Sequence, residues 1–372
     1  MALDRRALNF IFSVDFMRMG ILWTLAVIFS QLRLLFRGIS IKTPAFPRVP
    51  PNPSTRPVCI ITGATSGLGK AAAHALSMER YFVILAGRSD HLLSKTIEEI
   101  KQQQEDAHLK AFQVDVSSLA SILNFKNSVQ QWLCDLHMHP SIQLLVNNAG
   151  ILATSRRFTA EGYDKMMGTN YMGAFSMANV LLPLLKNSSK PSRIVNVTSF
   201  THHCVSGAQF DEESLAGRNL QHLSSGKSYP LSRIYEYSKL CVLLFSYELH
   251  RQLFLADPSH HISVMAADPG VVRTNIMREV PQSLAELAYT ALDLLCVLNS
   301  PESGVQSIID AALAPPEASG HYFFGGKGRT LESTFLSYDP KLSKELWISS
   351  NNLLQKAQLT LQKSGEISRT SD

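Results

Sequence analysis

Tyr235 and Lys239 are the two residues of this 372-residue chain whose types and spacing most directly suggest chemistry. If Tyr235-Glu-Tyr-Ser-Lys239 is helical, positions i and i+4 share a face, and a phenol and an ammonium point into one cleft. A nearby cation favours the phenolate and lowers the phenol pKa from about 10 toward neutrality, which suits a general acid/base. Tyr237, two positions on, points elsewhere. A second pattern, Thr62-Gly63-Ala-Thr-Ser66-Gly67-Leu68-Gly69, follows an apolar run and opens an amphipathic stretch. Its glycines allow a tight turn and close approach of a ligand, and the helix N-terminus offers free N–H groups to a pyrophosphate. The spacing is GxxxGxG, not the commoner GxGxxG. About 20 positions on, where an NAD site presents an acidic residue, the chain reads Leu85-Ala-Gly-Arg88-Ser89. Arg88 can pair with a 2′-phosphate, so the expected cofactor is NADP(H); the bland alternative is a solvated surface arginine. Asn147-Asn148-Ala149-Gly150 is a fourth pattern, suited to a strand end that meets a cofactor closely. Taken singly, each could be an ordinary turn or a chance spacing.

These residues need elements to hold them. Short apolar runs predict strands at Val58–Thr62, Phe82–Ala86, Ala111–Val114, Ile142–Val146, Arg193–Val197 and Ile262–Ala266. Helix-length stretches such as Gly69–Ser77 and Asp90–Glu105 lie between them. This alternation predicts an α/β fold, a doubly wound parallel sheet of Rossmann type, as a single domain over residues 58–330. Residues 331–372 read as a polar C-terminal extension, of which 340–372 look like a partly helical, fraying tail. With 45% hydrophobic and 17% charged residues and a mean hydropathy of +0.02, the chain can bury a sizeable core, which excludes wholesale disorder. Five Cys without a CxxC pair exclude a disulfide scaffold, make a metal site unexpected and fit a reducing compartment.

Charge is uneven. Eight Arg or Lys against two Asp leave residues 1–56 at +6, so the remainder carries −1 of the total +5. The globular part is neutral, and nothing in it suggests a nucleic-acid surface. Residues 1–40 read as a hydrophobic membrane anchor. The uncharged run Met19–Leu32 is short for a span unless Arg18 and Arg33 snorkel to the headgroups. A spanning helix, an interfacial amphipathic helix and a helix packed on the domain all fit. The heavier cationic flank follows the segment, which would leave the large domain in the cytosol. Six prolines from Pro44 to Pro57 make residues 41–57 an extended linker.

Together and in this order, the motifs resemble the short-chain dehydrogenase/reductase family over about Val58 to Gly326. The resemblance implies hydride transfer between a nicotinamide cofactor and a carbonyl or alcohol. It makes Tyr235 the proton donor and gives Lys239 a hold on the nicotinamide ribose. Ser199 would bond the substrate oxygen, and Asn170 in Gly168-Thr-Asn-Tyr171 would serve a proton relay. Asp115 would contact adenine, and Pro269-Gly270 with Thr274 would close over the nicotinamide. Many members place the serine about thirteen residues before the tyrosine, but here the gap from Ser199 to Tyr235 is longer. The long gap and Ser199-Phe-Thr-His202-His203 resemble the retinol dehydrogenase-like branch, whose members commonly carry an N-terminal membrane anchor and act on lipophilic substrates. His202 and His203 read as structural or rim residues.

The expectation is therefore a membrane-associated, NADP(H)-dependent oxidoreductase acting on a lipophilic alcohol/aldehyde or ketone, mainly in reduction. It would sit on the endoplasmic reticulum with its catalytic domain in the cytosol, with a homodimer as one arrangement left open. The sequon Asn196-Val-Thr198 inside a strand also favours the cytosolic side. The competing reading is a non-catalytic NADP-binding regulatory or scaffold protein. Met277, Val280, Leu284 and Leu287 could line a lipophilic pocket or lie in an ordinary core helix.

Overall fold

The apolar runs become the strands that carry the site. The computed structural model describes residues 14–40, 44–52, 56–219, 223, 229–257 and 261–365. The strands are β1 (Val58–Thr62), β2 (Phe82–Gly87), β3 (Leu109–Gln113), β4 (Leu144–Asn147), β5 (Ser192–Val197) and β6 (Ile262–Asp268). They pair in parallel in the order β6–β5–β4–β1–β2–β3. Central strands β1 and β4 are buried throughout, as expected of strands covered on both faces. β3 begins two residues earlier than the Ala111–Val114 expectation. It is an edge strand with only partial burial, so an unbroken apolar run does not mark its limits.

The β1–α2–β2 unit carries α2 (Gly67–Met78), and α3 (Asp90–Gln103) and α4 (Leu119–Asp135) follow β2 and β3. After β4 come a turn of π-helix at Gly168–Met172 and α5 (Gly173–Lys186); α6 (Leu231–Ala256) connects the β5 region to β6. One core lies between the sheet and α4, α5 and α6, and a second packs α2, α3 and α8 (Gln306–Ala312) on the other face. Two short strands unforeseen in sequence extend the sheet: β9 (Tyr322–Phe324), parallel to β6, and β10 (Thr330–Leu331), antiparallel to β9. A separate two-stranded pair joins β7 (Val271–Val272) to β8 (Leu298–Asn299), on either side of α7 (Gln282–Leu294). The strand order reverses between β1 and β4, so their C-terminal ends open a crevice there.

The first and last described helices are both tied to this body. α1 (Val14–Ser40) contains Asp15–Phe36, a stretch long and apolar enough to cross a membrane, with mean hydropathy 1.7. It nevertheless packs against the domain through Met19, Val27 and Leu34. Residues 44–52, the described part of the proline-rich segment, form no helix and are held against the domain. The Phe46 amide donates to the Gly328 carbonyl at 2.9 Å, and Arg48 pairs with buried Asp310 at 2.7 Å. The C-terminal extension is helical where partial helix was expected, but its described part docks on the domain. α9 (Pro340–Ser364) runs 25 residues and buries Leu346, Leu353 and Leu354. Its apolar residues recur at helical spacing, a stripe that the polar average of the segment conceals.

Candidate active site

The glycine-rich turn leaves β1 at the crevice and becomes the first turn of α2. Gly63 and Gly67 have φ of +68° and +50°, where side chains are strained. A Cβ on Gly69 would collide with the Gly63 carbonyl, so this glycine lets the helix pack on the turn. Ser66 caps α2 without a side-chain hydrogen bond, leaving the first amides of a 12-residue helix to face the crevice. Thr62 stands behind the turn. Its hydroxyl accepts from the Asn148 and Ala149 amides, both at 3.0 Å, and thereby fixes the end of β4. Asn148 in turn donates to the Thr62 carbonyl at 2.8 Å.

A cavity of about 800 Å³ runs from this turn to α7. Gly63, Ser66, Gly67, Leu68 and Gly69 line its floor, as do Asn148, Ala149 and Gly150 at the end of β4. Arg88 and Asp115 reach it from the ends of β2 and β3, and Pro269, Gly270 and Thr274 reach it after β6. The Arg88 guanidinium is exposed and makes no hydrogen bond or ion pair among the described residues. Asp115 accepts from the Ser117 amide at 2.9 Å and hydroxyl at 2.6 Å. Burial pushes its carboxyl up, but those bonds with the nearby Lys165 and Arg88 charges leave it below the usual range. The free amides, the glycines and the uncommitted cation fit a dinucleotide with its pyrophosphate on α2. Gly270 donates to Asp268 at 2.8 Å, shaping the turn after β6.

Ser199, Tyr235 and Lys239 line the same cavity. Ser199 ends the β5 run and caps a turn of 3₁₀-helix at Phe200–Cys204. Tyr235 and Lys239 lie one turn apart on α6, with the ammonium 5.7 Å from the phenol ring centroid. Lys239 donates to the Val197 carbonyl at 3.0 Å. Asn170 sits just behind, in the π-turn. It accepts from the Ile151 amide at 2.8 Å and donates to the Ile151 carbonyl at 3.0 Å and the Ser238 hydroxyl at 3.2 Å. Ser238 donates to the Tyr235 carbonyl at 2.8 Å, so Asn170 braces the turn that carries the phenol.

The fold and the site have counterparts among known proteins. A family profile described as short chain dehydrogenase matches residues 57–208. The human polyprenol dehydrogenase is 31% identical over 90% of this chain and 94% of its own length. Human retinol dehydrogenase 13 is 30% identical over 79% and 83% respectively. The chain belongs to the short-chain dehydrogenase/reductase family, in its retinol dehydrogenase-like branch. Among solved structures, an uncharacterised protein from Mycobacterium paratuberculosis covers 81% of this chain and 94% of its own at 26% identity, with a TM-score of 0.58. An actinorhodin polyketide ketoreductase crystallised with NADPH has a TM-score of 0.54 at 23% identity over 74% of this chain and 98% of its own, a likeness of fold.

In this short-chain dehydrogenase/reductase the electrostatics of the pair differ from the expectation that Lys239 lowers the Tyr235 pKa. Burial dominates and raises the phenol well above 10, the Asp268 charge adds to this, and a hydrogen bond with Ser199 only partly offsets it. Burial also brings Lys239 down to about 8, although Asp268 opposes the shift. Asp268, fully buried, is itself pushed up to about 6 by burial, against hydrogen bonds from Tyr322 and the Gly270 amide. The phenol is thus held protonated, the form that can donate.

Sequence reasoning missed three residues of the site. Asp268 was hidden as the polar end of a strand. Arg278 lines the cavity, and burial and the Arg88 charge both lower its guanidinium pKa. Trp23 reaches the cavity from α1, far away in sequence. His202 is buried and holds the Ser199 carbonyl through Nδ1 at 2.6 Å; burial and the neighbouring His203 keep it neutral.

Proposed function

We propose that this oxidoreductase transfers hydride between NADP(H) and a lipophilic alcohol/carbonyl pair, working mainly as a reductase. The observation that carries the reading is one cavity in which a protonated Tyr235, Ser199 and Lys239 meet a glycine-rich turn, an uncommitted Arg88 and an apolar far wall. Bound NADPH would supply the hydride. As the carbonyl oxygen gains charge, the Ser199 hydroxyl would hold it and the Tyr235 hydroxyl would give up its proton, so hydride and proton together complete the two-electron reduction. Lys239 would hold the ribose and stabilise the phenolate left behind, and Asn170 would keep the Tyr235 turn in register. Arg88, helped by Arg278, would bind the 2′-phosphate. The far wall of Leu284, Leu287, Leu292 and Leu295 suits an alkyl or isoprenoid substrate, the kind that the names of the polyprenol and retinol dehydrogenases imply for those relatives.

We also place the chain on a membrane through its N-terminal segment, at the endoplasmic reticulum with the catalytic domain in the cytosol. Asn196 supports that side. Its amide is buried and bonded to Asn147 and Ser246, both at 2.9 Å, which leaves no room for a glycan. A homodimer built on α5 and α6 would have to form around α9, whose Trp347 packs on Phe175 and Phe245.

Titrating NADPH and NADH separately against the full chain in detergent tests the cofactor assignment. NADPH should bind more tightly, and Arg88→Asp should reverse the preference; a folded chain that binds neither nucleotide overturns the reading. If NADPH binds but no long-chain aldehyde or ketone is reduced, the non-catalytic role takes its place. Reduction should also fall above about pH 8, where Lys239 loses its proton.

A further inference from the structure

α1 closes the cavity as well as flanking it. Phe16, Met19, Gly20, Trp23 and Thr24 form one of its walls. The Trp23 ring lies against the proton donor, 5.3 Å from the Tyr235 ring centroid and tilted by 41°. Its indole N–H donates to Glu236, the residue next to Tyr235, at 2.7 Å. Arg18 donates to both carboxylate oxygens of Glu236, at 2.9 and 2.8 Å, and to the Cys204 carbonyl at 3.2 Å. Asp15 accepts from the Ser232 amide at 3.1 Å and hydroxyl at 2.7 Å. These bonds join α1 to the two segments that carry Ser199 and Tyr235.

The attachment continues along the helix. Met19, Val27, Ser30 and Leu34 are buried at helical spacing, and Val27 packs with Phe200 and Val297. Arg33 pairs with Glu332 at 2.9 Å. A helix that left the domain to span a bilayer would abandon all of this and strand Glu236, whose side chain is 2% exposed, without its cation.

We propose that Trp23 is a specificity-determining residue of the substrate site, and that α1 is an integral wall of the cavity. The indole stands beside the Tyr235 phenol. With Leu292 it flanks the buried cluster of Val27, Phe200 and Val297, so it lines the way from the phenol to the wall of Leu284, Leu287 and Leu292 and meets the hydrocarbon beyond the first carbons. An extended hydrocarbon packed along the indole gains contact that a short aldehyde cannot reach. This inference rests on the oxidoreductase reading above.

The test uses the full chain in detergent, with NADPH and either decanal or propanal, comparing wild type with Trp23→Ala and Trp23→Phe. Trp23→Ala should raise the KM for decanal at least tenfold, with little change for propanal and none in NADPH affinity, and Trp23→Phe should recover most of the loss. An unchanged decanal-to-propanal ratio overturns the proposal, as does a parallel fall in kcat for both substrates without recovery in Trp23→Phe. Equilibrium binding of cis-parinaric acid to the NADPH complex gives a readout that needs no turnover. If wild type and Trp23→Ala take up the probe equally, or wild type takes up none, the wall assignment fails. If Trp23→Ala binds it at least tenfold more weakly while wild type reduces no carbonyl, the assignment stands and the catalytic reading fails.

Discussion

α1 and α9, of 27 and 25 residues, are the two long helices outside the alternating βα pattern, and they attach to the domain in opposite ways. α1 is the more apolar by composition, yet it leaves Ile21, Leu25, Phe29 and Leu35 more than half exposed and fixes itself through Asp15, Arg18 and Trp23. α9 is the more polar, yet it buries a leucine stripe and sets Trp347 between Phe175 and Phe245, with ring centroids 5.8 and 6.3 Å away. Composition alone suggests the reverse arrangement. What separates them is which face carries the contacts. α9 is held by burial of area, which counts toward folding, whereas α1 adds directional polar bonds beside the candidate site to a narrow buried stripe and keeps Ile21, Leu25, Phe29 and Leu35 outside.

The contrast is tested most strongly at Trp347. Trp347→Ala should cost about 3–5 kcal/mol by leaving a cavity between α9 and the two helices beneath it. In a domain of this size that lowers the melting temperature by roughly 10 °C, measurable by thermal or urea unfolding. NADPH affinity and the KM for decanal should not change in the folded fraction. A loss below about 1 kcal/mol would mean that α9 rests on the domain without stabilising it.

Arg18→Met should have the next largest effect, about 2 kcal/mol. It leaves the buried Glu236 carboxylate without its cation, and the partial exposure of Arg18 keeps the loss below that of a fully buried pair. Burial already pushes Glu236 up, with Arg18 and Trp23 pulling it back, so the variant carboxyl should bind a proton more readily. Adding Glu236→Gln should return part of the lost stability, because a neutral amide can still accept from Trp23. Strictly additive effects in urea unfolding would show that the pair is not the clamp. Unlike Trp347→Ala, Arg18→Met should also raise the KM for decanal, because the wall it holds is part of the cavity.

These helices mark where the sequence stopped being legible. The sheet could be read because buried parallel strands must be apolar, and the glycine-rich turn could be read because its backbone tolerates little else. Tyr235 and Lys239 could be placed together by helical periodicity alone. The Arg18–Glu236 bond joins residues more than two hundred positions apart, and no local pattern reports such a partner. Asp268 and Arg278 were missed for a related reason, since their importance comes from distant charges: Asp268 acts on Tyr235 and Lys239 from a buried position, and Arg278 stands near Arg88 in the cavity. The pKa of Tyr235 was misjudged because spacing shows the neighbouring cation but not the burial and the Asp268 charge that raise it.

The smallest effect on stability belongs to the outer face of α1. Ile21→Gln, Leu25→Gln and Phe29→Gln alter side chains that are 58%, 57% and 55% exposed, so each should change unfolding by no more than about 0.5 kcal/mol. Their consequence should appear at a lipid surface. Three large apolar side chains that enter the interface together contribute roughly 3–6 kcal/mol to partitioning, so the triple variant should fall from the floating to the soluble fraction in vesicle flotation. Leu359→Gln on α9, at 55% exposure, is the matched control and should change neither stability nor flotation. If the triple variant floats as well as wild type, the exposed stripe is not the lipid-facing side of α1. If it leaves the vesicles while its selectivity for decanal over propanal stays intact, the two faces of α1 have separate tasks: the inner one shapes the substrate site and the outer one holds the enzyme at the source of its substrate.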